Sequence, residues 1–164
     1  MLLSEQAYQQ IDRELTKYPD DQKRSAVIAA LTIAQGEKGW LSTEIIRDVA
    51  DYLQLPPIAV QEVATFYDMY NTRPVGRFKI TVCTNLPCAL RDGVKAAEYL
   101  KEKLGVQFNE TTADGLFTLT EGECMGSCGD SPLMLVNDKH MCVHMSPERM
   151  DAMIDELKQH GESA

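Results

Sequence analysis

The chain has 164 residues, 44% of them apolar, and a formal net charge of −9 at neutral pH. That supplies enough apolar side chain for one or two buried cores, while the acidic balance excludes a sequence-independent nucleic-acid binder, which needs a basic face to neutralise phosphates. No stretch approaches the roughly 18 apolar residues of a membrane span, and M-L-L-S-E-Q-A-Y at the start lacks the basic and apolar regions of a secretory signal, so direct membrane insertion is not expected.

The first part of the chain reads helical. Ser4 is suited to cap a helix with Tyr8, Ile11, Leu15 and Tyr18 on one stripe, stopped by Pro19. Asp20 and Asp21 mark the start of a second helix, 21–35, with Val27, Ile28, Leu31 and Ala34 inward and Gly36 as its end. Ser42 caps a third, with Ile45, Ile46, Val49 and Leu53 inward. Pro56 and Pro57 then open a fourth, with Val60, Val63 and Phe66 inward. Four short helices predict a helical bundle over residues 1–75, whose job is packing or docking because it carries few catalytic groups. Trp40, the only tryptophan, is a core or docking anchor. Phe66, Tyr67 and Tyr70, just before the junction, are expected to pack the two halves together.

After N-T-R-P-V-G the pattern changes. Phe78, Ile80 and Val82 alternate with Lys79 and Thr81, the period of a half-buried strand running into Cys83. A helix over 92–104 follows, with Val94, Ala97, Leu100 and Leu104 inward and Gly105 as its stop. Next come a short V-Q-F strand, L-F-T-L-T, and a hairpin of L-M-L-V and M-C-V joined across N-D-K-H. Ser146 and Pro147 start a last helix to Lys158, and G-E-S-A is a frayed tail. The fold class is α+β: a helical bundle over 1–75, then an α/β sandwich over 76–164.

Two cysteine pairs each sit at the end of an expected strand, C-T-N-L-P-C at 83–88 and C-M-G-S-C-G at 124–129. Both loops can therefore lie at one sheet edge and bring four thiolates together. Pro87 stiffens one loop, and Gly126 and Gly129 let backbone approach a bulky group. Free loop amides can donate to thiolates or sulfides. Five cysteines is an odd number, and in a reducing compartment disulfides are rare. Cys124, Cys128, His140 and His144 spell C-x3-C-x11-H-x3-H, near a zinc finger's register. A finger, however, needs both histidines on a helix, and it leaves Cys83 and Cys88 unexplained. A four-thiolate zinc site and a [2Fe–2S] cluster both remain open, since spacing alone does not separate them.

The order of A-T-F-Y-D-M-Y-N-T-R-P-V-G, V-C-T-N-L-P-C, D-G-L-F-T-L-T-E-G-E-C-M-G-S-C-G and the S-P-E helix resembles the thioredoxin-like [2Fe–2S] subunits of bacterial NADH:quinone oxidoreductase (the E subunits of respiratory complex I, the 24 kDa subunit family), over nearly the whole chain. The resemblance implies one [2Fe–2S] cluster on Cys83, Cys88, Cys124 and Cys128, held in two loops at one end of the sheet of a thioredoxin-like domain. It also implies an electron-transfer role within a respiratory-chain translocase, with no catalytic residue and no substrate site on this chain. The implied partners are a larger flavoprotein subunit carrying FMN and the NADH site, and the rest of complex I. The implied location is cytoplasmic, peripheral at the inner face of the cell membrane through the complex. Consistent with this division, no G-x-G-x-x-G or G-x-x-x-x-G-K-[ST] occurs.

The alternatives are the equivalent small subunit of an NAD-dependent formate dehydrogenase or hydrogenase, and a zinc-stabilised adaptor without redox function. A four-thiolate [2Fe–2S] centre carries about −2, and −3 once reduced, so Glu123 and Asp130 beside it would oppose an added electron. Cys142 reads as a small buried hydrophobe, and His140 and His144 as surface or satisfied polar groups.

Overall fold

The structure is a computed structural model describing residues 1–162. The chain divides into two compact units, Met1–Pro74 and Val75–Ala164.

In the first unit the Ser4 side chain accepts from the Ala7 N–H and starts α1, Glu5–Leu15. The helix stops well short of Pro19, because the Thr16 hydroxyl bonds back to the Arg13 carbonyl, and Tyr18 is left exposed. The expected start at Asp21 gives way to a 3₁₀ turn, Lys23–Ala26, which leads into α2, Val27–Lys38. Helix α2 passes through Gly36 and ends at Gly39, whose φ of +81° suits glycine alone. Its buried set is Val27, Ala30, Leu31 and Ala34, and Ile28 faces outward.

Helix α3, Thr43–Leu53, is capped by Ser42 and buries Ile45, Ile46, Val49 and Leu53, as the periodicity predicts. Helix α4, Pro57–Phe66, has Pro57 at its first position. It buries Ala59, Val60 and Ala64, whereas Phe66, expected inward, is 77% exposed. Ile11, Leu31, Leu41, Val49, Leu53, Val60 and Tyr70 meet in one core. Tyr70 reaches the interior because its hydroxyl donates to the Ile28 carbonyl at 2.7 Å.

The second unit is built on β1 (Phe78–Cys83), β2 (Glu110–Thr111), β3 (Phe117–Gly122), β4 (Met134–Val136) and β5 (His140–Cys142). These form one mixed sheet in the order β2-β3-β1-β4-β5, with β1 parallel to β3 and antiparallel to β4. Strand β1 is therefore central, not half-buried. Lys79, expected on a solvent face, is 5% exposed, with Nζ 2.6 Å from the Asp138 carboxylate. The early short strand lies at Glu110–Thr111 and not at V-Q-F, where Val106 turns into the core.

The β4–β5 turn needs no glycine because Asn137 and Asp138 take φ of +52° and +55°. Asn137 also accepts the Lys79 N–H at 2.7 Å. The short helix α5 spans Leu86–Ala89, and α6, Gly93–Leu104, follows the left-handed Asp92 (φ +66°) and ends at Gly105. That start phases Ala96, Ala97 and Leu100 inward and leaves Val94 exposed, against expectation. Helix α7, Pro147–Glu162, runs beyond Lys158 through two residues of the expected frayed tail. Ser163 and Ala164, the rest of that tail, lie outside the described residues. Ile80, Val82, Leu100, Phe117, Leu119, Met134, Met150 and Ile154 form this unit's core. The architecture is α+β, as expected.

Candidate metal centre

The parallel pairing of β1 and β3 sets the geometry. Cys83 is in register with Gly122, so both strands leave the sheet side by side. Cys83 ends β1, is 1% exposed, and donates its N–H to the Leu133 carbonyl at 3.2 Å. The Asn85 side chain then accepts from the Leu86 N–H at 3.0 Å and starts α5. This turn buries Cys88 to 1% exposure. The Ser131 hydroxyl donates to the Cys88 carbonyl at 3.3 Å. Gly93 closes the loop from below: a Cβ there would lie 2.8 Å from the carbonyl oxygens of both Cys83 and Cys88. Only glycine lets the first turn of α6 approach so closely.

The backbone amides of Asn85 and Met125 and the Cys88 thiol lie near enough to the Cys83 sulfur to act on its titration. Burial pushes the Cys83 thiol up from its ordinary range; the Asn85 amide pulls it down, Cys88 pushes it up, and Met125 pulls it down. Met125 belongs to the second loop, so the two loops meet at this sulfur. Cys83, Cys88 and Leu133 form a buried cluster with Met125, Cys128 and Val143 packed against it. Cys124 is exposed and lies outside that cluster. Among the described residues no three His, Cys, Asp or Glu side chains converge closely enough to hold a metal ion. Cys83 and Cys88 are buried together with Cys128 packed against their cluster, and Cys124 is exposed in the loop of Gly126, which takes φ +78°.

Side-chain braces tie the first loop to β3 and to the second loop. Thr84 Oγ1 donates to Glu121 Oε1 at 2.5 Å, and Asn85 Nδ2 to Glu123 Oε2 at 3.4 Å. Within the second loop, Ser127 Oγ donates to Asp130 Oδ2 at 2.5 Å. Asp130 Oδ1 lies 3.4 Å from His144 Nε2, and its carbonyl accepts the His144 N–H at 2.8 Å. The chemistry of this donor set fits an all-thiolate group. Two cysteines are already shielded from water, a third packs against their cluster, and loop amides lie near Cys83.

The other candidate residues lie elsewhere in function. His140 opens β5 and is exposed, and His144 precedes α7 at φ +51°, so neither is on a helix as a finger requires. Cys142 ends β5, half-buried against the sheet core, and burial pushes its thiol up. Trp40 is partly buried. Tyr70 packs into the helical core, while Phe66 and Tyr67 are exposed. Sequence reading missed Gly93, Thr84, Glu121 and Ser131 as parts of the site. Gly93 was hidden because D-G reads equally well as an ordinary helix start.

The thioredoxin-like [2Fe-2S] ferredoxin family matches residues 11–158. The E subunit of NADH-quinone oxidoreductase from Rickettsia bellii is 43% identical over 88% of this chain and 86% of its own length. The E 2 subunit of NADH-quinone oxidoreductase from Rhizobium meliloti is 37% identical over 92% and 88%. Among solved structures, an NAD+-reducing [NiFe]-hydrogenase in the H2-reduced state superposes with a TM-score of 0.67 at 20% identity. That match takes in 79% of this chain but only 22% of the hydrogenase chain, and the likeness is one of fold.

Proposed function

The chain belongs to the thioredoxin-like [2Fe-2S] ferredoxin family, and from that premise we propose that it is the electron-transfer component of an NADH:quinone oxidoreductase. In this reading Cys83, Cys88, Cys124 and Cys128 hold one [2Fe–2S] cluster. The observation that carries it is the buried pair Cys83 and Cys88, from the first cysteine loop, with Met125 and Cys128 of the second loop packed against them. Bound there, the cluster supplies a one-electron carrier.

This chain's own residues do the rest. The amides of Asn85 and Met125 offset thiolate charge, and the packing of Leu133, Met125 and Val143 keeps water from the inner sulfurs. The near-full-length likeness to the E subunits, at 37–43% identity, favours the quinone oxidoreductase over a hydrogenase or formate dehydrogenase. FMN and NADH are then carried by a larger flavoprotein partner, with which this cluster exchanges electrons. No helix among the described residues is long and apolar enough to cross a membrane, so attachment at the inner face of the cell membrane runs through the complex.

Iron and acid-labile sulfide analysis of anaerobically purified protein tests the reading. The expected result is two of each per chain with an EPR signal on reduction. Stoichiometric zinc without iron would overturn it in favour of a non-redox adaptor.

A further inference from the structure

The β1–β3 ladder ends at the Cys83–Gly122 pair. Beyond it, the first cysteine loop depends on side chains to stay against the second. Thr84 is the first residue past the ladder, and its hydroxyl donates to Glu121 at 2.5 Å, the distance of a charge-assisted bond to a carboxylate. Glu121 pairs with Val82 in the ladder, so this brace anchors the loop to a residue fixed by the sheet. The second brace, Asn85 to Glu123, is longer at 3.4 Å and joins two loop residues. Asp130, a third acid of this region, faces the His144 imidazole, whereas the partner of Glu121 is a neutral hydroxyl.

We propose that Glu121 is a positioning residue for the cysteine site: it clamps the first loop through Thr84 and holds a negative charge where β3 runs into the second cysteine loop, three residues before Cys124. The inference rests on the cluster reading above. The clamp keeps Asn85 close to Cys83 and to Met125 of the second loop, since a loop swinging away from β3 would carry Asn85 with it. The charge opposes addition of an electron to a centre that is already anionic. Glu121 is exposed, so solvent screens that second effect and keeps it small.

The test separates the two roles in the full-length holo-protein. Glu121→Gln keeps an oxygen to accept from Thr84 but removes the charge. With the weaker bond to a neutral amide, it is expected to lose iron to a chelator at a rate between those of the wild type and Thr84→Val, and to shift the one-electron equilibrium toward the reduced centre by about twofold or more in an EPR-monitored titration. Thr84→Val keeps the charge but removes the hydroxyl, and is expected to lose iron to a chelator several-fold faster, with Thr84→Ser restoring the wild-type rate. Circular dichroism checks that each variant is folded. An unmoved titration in Glu121→Gln, or a wild-type chelation rate in Thr84→Val, overturns the proposal. Failure of the underlying reading looks different: the wild-type protein would carry zinc and show no EPR signal, and the chelation rates of zinc would still judge the clamp.

Discussion

Cys83 and Cys88 are each 1% exposed, in a loop held by the Leu133 carbonyl above, the Ser131 hydroxyl beside and Gly93 beneath. Cys124 is exposed, and its loop contains Gly126 and Gly129, around which a Cβ would meet nothing within 4 Å. Both loops leave the same end of the sheet, one from each of two parallel strands. The first is fixed by close packing, where sub-ångström changes are felt. The second has space to rearrange. A site built this way presents two shielded sulfurs in advance and closes with a loop that can follow the incoming group, so binding free energy is spent ordering one loop and not two.

The comparison breaks most severely at the rigid loop itself. Cys83→Ser and Cys88→Ser each remove a buried sulfur that the packing around Leu133 cannot replace. Both are expected to abolish iron binding, read as iron per chain in purified protein. Cys142→Ala, in β5 and packed on the sheet core, is expected to keep the full content.

Chemical accessibility is the next test. In metal-free folded protein, mass-mapped alkylation is expected to reach Cys124 first and the half-buried Cys128 next. Cys142 follows, since burial pushes its thiol up and thins its thiolate population. Cys83 and Cys88 are expected to react only through opening of the structure. Equal rates at all four loop cysteines would erase the distinction between the loops.

A smaller effect falls on folding stability. Gly93→Ala drives a Cβ to 2.8 Å from two carbonyl oxygens that belong to backbone and cannot rotate away. Overpacking of this kind costs about 1–3 kcal/mol. A lowered thermal midpoint together with loss of iron is the expected outcome, and an unchanged midpoint would mean that the first loop has slack.

How much of this was legible in the sequence depended on whether the signal was local. Ser4, Ser42, Pro57 and Gly105 act where the sequence marks them, because caps and stops are decided within one turn. The stripe of α3 was legible for the same reason. Ile28, Phe66 and Val94 were misread, since each is apolar at helical spacing yet faces outward, and only tertiary placement sets the phase of a short helix. Lys79 was misread because strand alternation does not say whether a strand is central or at an edge. At the site, the four cysteines were visible as pairs, while Thr84, Glu121, Gly93 and Ser131 act across 37 to 43 residues of chain or through a close backbone approach. No local pattern records such contacts.

The mildest test lies within the second loop, where two glycines differ in one respect. Neither would bring a Cβ near another atom, but Gly126 sits at φ +78° and Gly129 does not take a left-handed φ. Gly126→Ala is therefore expected to cost about 1–2 kcal/mol through backbone strain alone. Gly129→Ala is expected to be neutral or to stabilise by up to about 1 kcal/mol, by narrowing the unfolded ensemble. Chemical denaturation of the metal-free protein measures both. If Gly126→Ala proved as harmless as Gly129→Ala, the left-handed turn beside Cys124 would not be a fixed feature of the loop. The second loop would then be adaptable throughout its length, and the contrast with the clamped first loop would be sharper than the static geometry implies.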